Sequence, residues 1–152
     1  MNSLDYDDAY PTCEENYATL GIYHEDLDPE NINKLLDLTY SWSCRKGDPI
    51  WNIHPEKGKR KLGTWLLRTE GIIDSKDCRR HIDWLLDQIE DKAEVLEKLR
   101  QSGYRIDVGC YWVSKHGQGG PTVSPAQSNR LARLKIELGF DVYFAFDEDE
   151  EC

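Results

Sequence analysis

The chain has 152 residues, 39% apolar and 32% charged, which suits one hydrophobic core under a polar surface in a single domain. Its formal net charge of −10 sits in its ends: Asp5, Asp7, Asp8, Glu14 and Glu15 fall in residues 1–16 and five more acids fill residues 147–151, while the body between holds as many acids as bases. A neutral body excludes the broad positive field of a nucleic-acid binder, and the short apolar runs offer neither a membrane span nor a signal peptide.

A cytoplasmic protein with no nucleic-acid or membrane partner is therefore expected. Residues 1–16 and 147–152 read as solvated acidic tails around one domain at residues 17–146. Cys13, Cys44, Cys78, Cys110 and Cys152 are scattered and include no C-x-x-C pair, which fits reduced thiols rather than a disulfide framework or a zinc ribbon.

Tyr17 to Tyr23 alternates Ala18, Leu20 and Ile22 against Thr19 and Gly21, the period of a half-buried strand. Asp28 as a cap and Pro29 in the first turn then start a helix that presents Ile32, Leu35 and Leu36. Tyr40 to Arg45 reads as a second strand. Lys46 to Leu62 follows as a long connection, broken by Gly47, Pro49, Pro55 and Gly58 and carrying the basic run Lys57 to Lys61. Connections of this length are commonly functional.

Gly63 to Arg68 supplies the third strand. Ile82, Leu85, Leu86, Ile89, Ala93, Leu96 and Leu99 keep one helical phase, so one long helix, straight or bent, is expected, ending at Gly103. Tyr104 to Ser114 gives a fourth strand and Lys115 to Val123 a glycine-rich loop. Ser124, Pro125 and Gln127 spell a capping box for a last helix through Leu131, Leu134 and Leu138 to Gly139. Phe140 to Phe146 closes the sheet with Val142, Phe144 and Phe146 on one face.

The order βαββαβ followed by αβ predicts an α+β fold: a single ferredoxin-like sheet extended by a further αβ unit. An internal pseudo-repeat is also expected, since Leu20 to Tyr23 leads to Asp28-Pro29 much as Val108 to Tyr111 leads to Ser124-Pro125.

No complete catalytic motif is present and no catalytic residue, cofactor or metal is expected. His24-Glu25 begins like a zinc-protease motif, but Asp28 stands where the second His is required, and Cys78 with His81 offers only two ligands. Two stretches remain as candidate sites. Arg45, Lys46, Asp48 and Trp51 combine mixed charge with a loop Trp, the composition of a partner-binding anchor; the other reading folds Trp51 back over the sheet and pairs Arg45 with Asp48. Lys115, His116, Gly119 and Gly120 lie between a strand end and a helix start, where free amides can hold an anion. The same glycines also serve a sharp turn with no ligand.

Several stretches carry a resemblance: Tyr17-Ala18-Thr19-Leu20, Leu27-Asp28-Pro29, Arg45-Lys46-Gly47-Asp48, Gly63-Thr64-Trp65, Trp84-Leu85-Leu86, Gly103-Tyr104-Arg105, Tyr111-Trp112, Gly119-Gly120-Pro121 and Ser124-Pro125. In this order and spacing, over about residues 16 to 146, the chain resembles the bacterial family catalogued as domain of unknown function 4279. The resemblance implies a small cytosolic bacterial domain with no assigned activity, and an immunity or partner-binding role. The expected function is a non-enzymatic protein-interaction module. The alternative is a small-anion or small-molecule binding domain or enzyme built on residues 115–121. The oligomeric state stays open.

Overall fold

The computed structural model of the chain describes residues 5–145. Five strands form one sheet: β1 (Cys13–His24), β2 (Trp42–Cys44), β3 (Gly63–Arg68), β4 (Arg105–Ser114) and β5 (Glu137–Phe144). The helices are α1 (Pro29–Leu36), α2 (Cys78–Ile89), α3 (Ala93–Gln101) and α4 (Pro125–Leu134). The fold is thus a mixed α+β arrangement with strand order β2-β3-β1-β4-β5. β1 pairs antiparallel with both β3 and β4, β2 pairs antiparallel with β3, and β4 runs parallel to β5, with α4 as the crossover that a parallel pair requires.

The alternation in the strands decides where the core lies. Leu20 and Ile22 of β1, Trp65 of β3, and Val108 and Trp112 of β4 are buried on one face, where they meet Ile32, Ile82, Leu86 and Leu96 of the helices. Each such fully buried aliphatic side chain contributes about 1.5–3 kcal/mol. On the opposite face Tyr17 stacks on Tyr111 at 4.8 Å, and Tyr111 meets Tyr143 at 5.3 Å. Capping proceeds as the sequence dictates: the Asp28 carboxylate accepts from the Glu30 amide, Asp77 accepts from Arg79, and Ser124 with Gln127 closes a capping box.

Three local expectations are corrected. Residues 5–16 do not stand apart as a solvated tail. Tyr6 donates to Asp83 at 2.5 Å, the Asp7 amide donates to Asp77 at 2.7 Å, and Arg80 and Ser75 both donate to Asp8. Asp8 pairs with Arg80 of α2, and the strand that follows this docked segment starts at Cys13 rather than at Tyr17. Burial and the bond to Asp83 push the Tyr6 phenol up to about 12. The tail expected at residues 147–152 lies outside the described residues.

The long helix is two. Ile89 leaves helical geometry at φ −121° and ψ −1°, and a 3-10 turn at Glu90–Lys92 joins α2 to α3. Ile89 before the break and Leu96 and Leu99 after it are buried, while Ala93, expected on the same face, is exposed at the start of α3. The last helix, expected to reach Gly139, stops at Leu134, where Lys135 takes a left-handed conformation at φ 56°. Leu138 and Gly139 pair instead with Val108 and Gly109 in β5. Phe146 lies outside the described residues. Cys13, Cys44, Cys78 and Cys110 are buried free thiols. No helix among the described residues is long and apolar enough to cross a membrane.

Candidate functional site

The connection between β2 and β3 is an ordered arm. Asp48 closes its root by accepting from the Arg45 amide at 2.7 Å, and Gly47, at φ 89°, supplies the left-handed residue that this turn needs. From there the limbs run antiparallel: the Gly47 amide donates to Arg60 O at 2.8 Å, Arg60 to Asp48 O at 2.7 Å and Ile50 to Gly58 O at 3.1 Å, with a bridge between Pro49 and Lys59. Its tip turns back through a 3-10 segment at Pro55–Lys57.

The side chains of the arm fall into two groups. Arg45 and Lys46 face inward to the protein: the Arg45 guanidinium holds Asp28 at 2.9 Å and Glu30 at 2.7 Å, and Lys46 pairs with Glu25. The Lys46 pairing lowers the Glu25 pKa and raises that of Lys46. Trp51 faces outward. It is 62% exposed and Ile53 is 87% exposed, with Ile50 and Leu62 exposed nearby. Trp42 is also partly exposed on edge strand β2, with Arg60 lying 5.1 Å over its ring.

Of the four expected residues, Arg45, Lys46 and Asp48 are engaged at the root of the arm, and the side chain of Trp51 stands exposed. Ile50 and Ile53, exposed beside Trp51, are not among the expected residues. Their sequence signal was an apolar Ile-Trp-x-Ile group inside a loop, with no alternating or helical pattern that could bury it.

The glycine-rich loop gives a different picture. Lys115, His116 and Gly119 are exposed on one turn, and Gly120 is half-buried. Ser114 donates to Gln118 O at 2.8 Å, and Tyr10 donates to Gly120 O at 2.7 Å. Gly119 sits at φ 78°, and a Cβ there would fall 2.5 Å from Thr12 Oγ1. These glycines make a turn against the N-terminal segment, while the start of α4 is already served by its capping box. Since β2, β3, β1 and β4 alternate in direction, the arm and this loop lie at opposite ends of the sheet.

The family model described as Domain of unknown function (DUF4279) matches residues 14–145. The chain belongs to this family. No curated protein and no solved structure matches it.

Within this DUF4279 domain, Cys78 and His81 diverge rather than share a ligand. Cys78 directs its thiol at Thr122 O, 3.2 Å away, and contacts Cys110. His81 is buried between the Thr69 hydroxyl, 2.6 Å from Nδ1, and the Ser75 carbonyl, 2.7 Å from Nε2. The carbonyl can only accept, so Nε2 carries the proton and Nδ1 accepts from Thr69. Burial holds the His81 pKa below its ordinary value. Burial likewise pushes the Cys13 thiol up to about 11. Among the described residues of the domain, no group of three or more His, Cys, Asp or Glu side chains is placed to hold a metal ion.

Proposed function

We propose that the protein is a non-enzymatic protein-interaction module and that the arm of residues 45–62 grips its partner. The observation that carries this reading is the exposure of Trp51 and Ile53 at the tip of a loop held by backbone hydrogen bonds. A rigid loop presents these apolar groups without losing much conformational entropy on binding, and an exposed Trp is a common interface anchor. With Arg45 and Lys46 paired to acids of the body, the four bases Lys57, Lys59, Arg60 and Lys61 against Asp48 and Glu56 leave the arm a net positive charge.

The partner it suits is an acidic protein surface around an apolar pocket, opposite in sign to the basic partner that the acidic ends would attract. An immunity-type protein of the bacterial cytoplasm is one form of such a module. The order β2-β3-β1-β4, with its alternating directions, supports reading the scaffold as ferredoxin-like, with α4 and β5 as the added unit.

The test compares wild type with Trp51→Ser/Ile53→Ser as bait in native cytosol. A stoichiometric protein partner held by wild type, lost by the variant at unchanged thermal stability, and associating more slowly as salt rises supports the reading. An identical captured set for both baits refutes it.

A further inference from the structure

We propose that β5 is the seat of a homodimer, in which a second copy of the chain adds its own β5 antiparallel about a two-fold axis at Val142. Among the described residues β5 ends the sheet, and one of its edges has no strand beside it. Long apolar edges are normally blunted by Lys, Pro, a bulge or a covering element. The segment Glu137–Phe144 contains no Lys, Arg or Pro, and its pairing with β4 shows no bulge. On the helix-bearing side of the sheet α4 covers the edge only in part: Phe140, Val142 and Phe144 are 43%, 49% and 56% exposed.

The ladder geometry selects the register. The Ala145 amide donates to Ser114 O, so residues 145, 143, 141 and 139 direct their backbone groups at β4. The N–H and C=O of Leu138, Phe140, Val142 and Phe144 therefore point out of the free edge. A two-fold at Val142 pairs Val142 with itself and Phe140 with Phe144 of the second copy, so every outward group from 140 to 144 finds a partner in about six hydrogen bonds. On that side the six apolar side chains form one continuous stripe.

On the other side each Asp141 lies opposite the second copy's Tyr143, whose hydroxyl already reaches Asp141 within one chain. Shifting the axis by one residue, to Asp141, sets the two carboxylates against each other, which costs stability. Antiparallel pairing also separates the C-terminal ends of the two β5 strands, each followed in sequence by five acids, which a parallel pair would crowd together.

An edge pairing this short lies at the small end of stable interfaces, so the dimer is expected to be concentration-dependent. Sedimentation equilibrium from about 5 to about 500 µM, a range that brackets micromolar association, should show the mass rising from 17.7 kDa toward twice that value. Val142→Lys sets two cations on the axis and should hold the mass at the monomer value, with thermal stability unchanged because the side chain is exposed.

A second measurement uses cysteines in a Cys152→Ser background. Val142→Cys faces itself across the axis and should crosslink on mild oxidation. Tyr143→Cys faces Asp141 and should crosslink at least about tenfold more slowly, since it lies off the short separation a disulfide requires. A wild type that stays monomeric over the whole range, a dimer that survives Val142→Lys, or equal crosslinking of the two cysteine variants overturns the proposal. None of these outcomes bears on the arm.

Discussion

Thr69→Val should be among the most damaging single-atom changes available in this molecule. Thr69 follows β3, is fully buried, and its hydroxyl joins two elements: it accepts from the Ala18 amide of β1 at 2.9 Å and donates to His81 Nδ1 of α2 at 2.6 Å. Valine keeps the branched shape and leaves both partners buried and unpaired. Each orphaned group costs about 1–3 kcal/mol, so the expected loss is about 2–6 kcal/mol, out of the roughly 5–15 kcal/mol that holds a domain folded. At about 2–4 °C per kcal/mol for this chain length, that lowers the melting temperature by about 4–24 °C. Urea unfolding followed by the fluorescence of buried Trp65 and Trp112 measures it. A loss below about 1 kcal/mol would refute the clamp. So would a Thr69→Val/His81→Leu double variant whose loss equals the sum of the single losses, because coupled partners must be non-additive.

Two further outcomes follow from the same reasoning. His81 is held neutral in the folded state with its pKa below the unfolded value of about 6.5. Its contribution is fully present above that pH and is lost as pH falls toward the depressed folded pKa, because the unfolded chain then binds the extra proton. Unfolding free energies from pH 7.5 to 5.5 should decline for wild type and flatten for His81→Gln; parallel curves would refute this. Gly119→Ala should cost about 2–3 kcal/mol, since an L side chain at φ 78° is strained by about 1–2 kcal/mol and its Cβ meets Thr12 Oγ1 at 2.5 Å. A loss below about 0.5 kcal/mol, by urea unfolding, would show that the turn does not need glycine.

The positions that sequence read well are those whose causes are local. Asp28-Pro29 and Ser124-Pro125-Gln127 begin helices where expected, because a cap satisfies amides only two or three residues away. Gly63–Arg68 is a strand over its whole expected length, since the alternation of Trp65 and Leu67 needs only one covered face. Likewise, family membership rests on residues spread along the chain.

Tertiary structure decided what periodicity leaves ambiguous. Leu138 continues the phase of Leu131 and Leu134, but it also fits a strand, and pairing with Val108 along β4 chose the strand. The segment of residues 5–16 looks solvated until the fold brings Arg80 and Ser75 to the Asp8 carboxylate and Asp77 to the Asp7 amide. Composition placed a Trp and several bases in the loop after β2. Only the chain's path showed that Arg45 is spent on Asp28 and Glu30 while Trp51 and Ile53 stay uncovered. A sequence specifies the short-range hydrogen bonds and the side-chain period; which distant charge or surface meets a given residue is set by the energy of the whole packed chain.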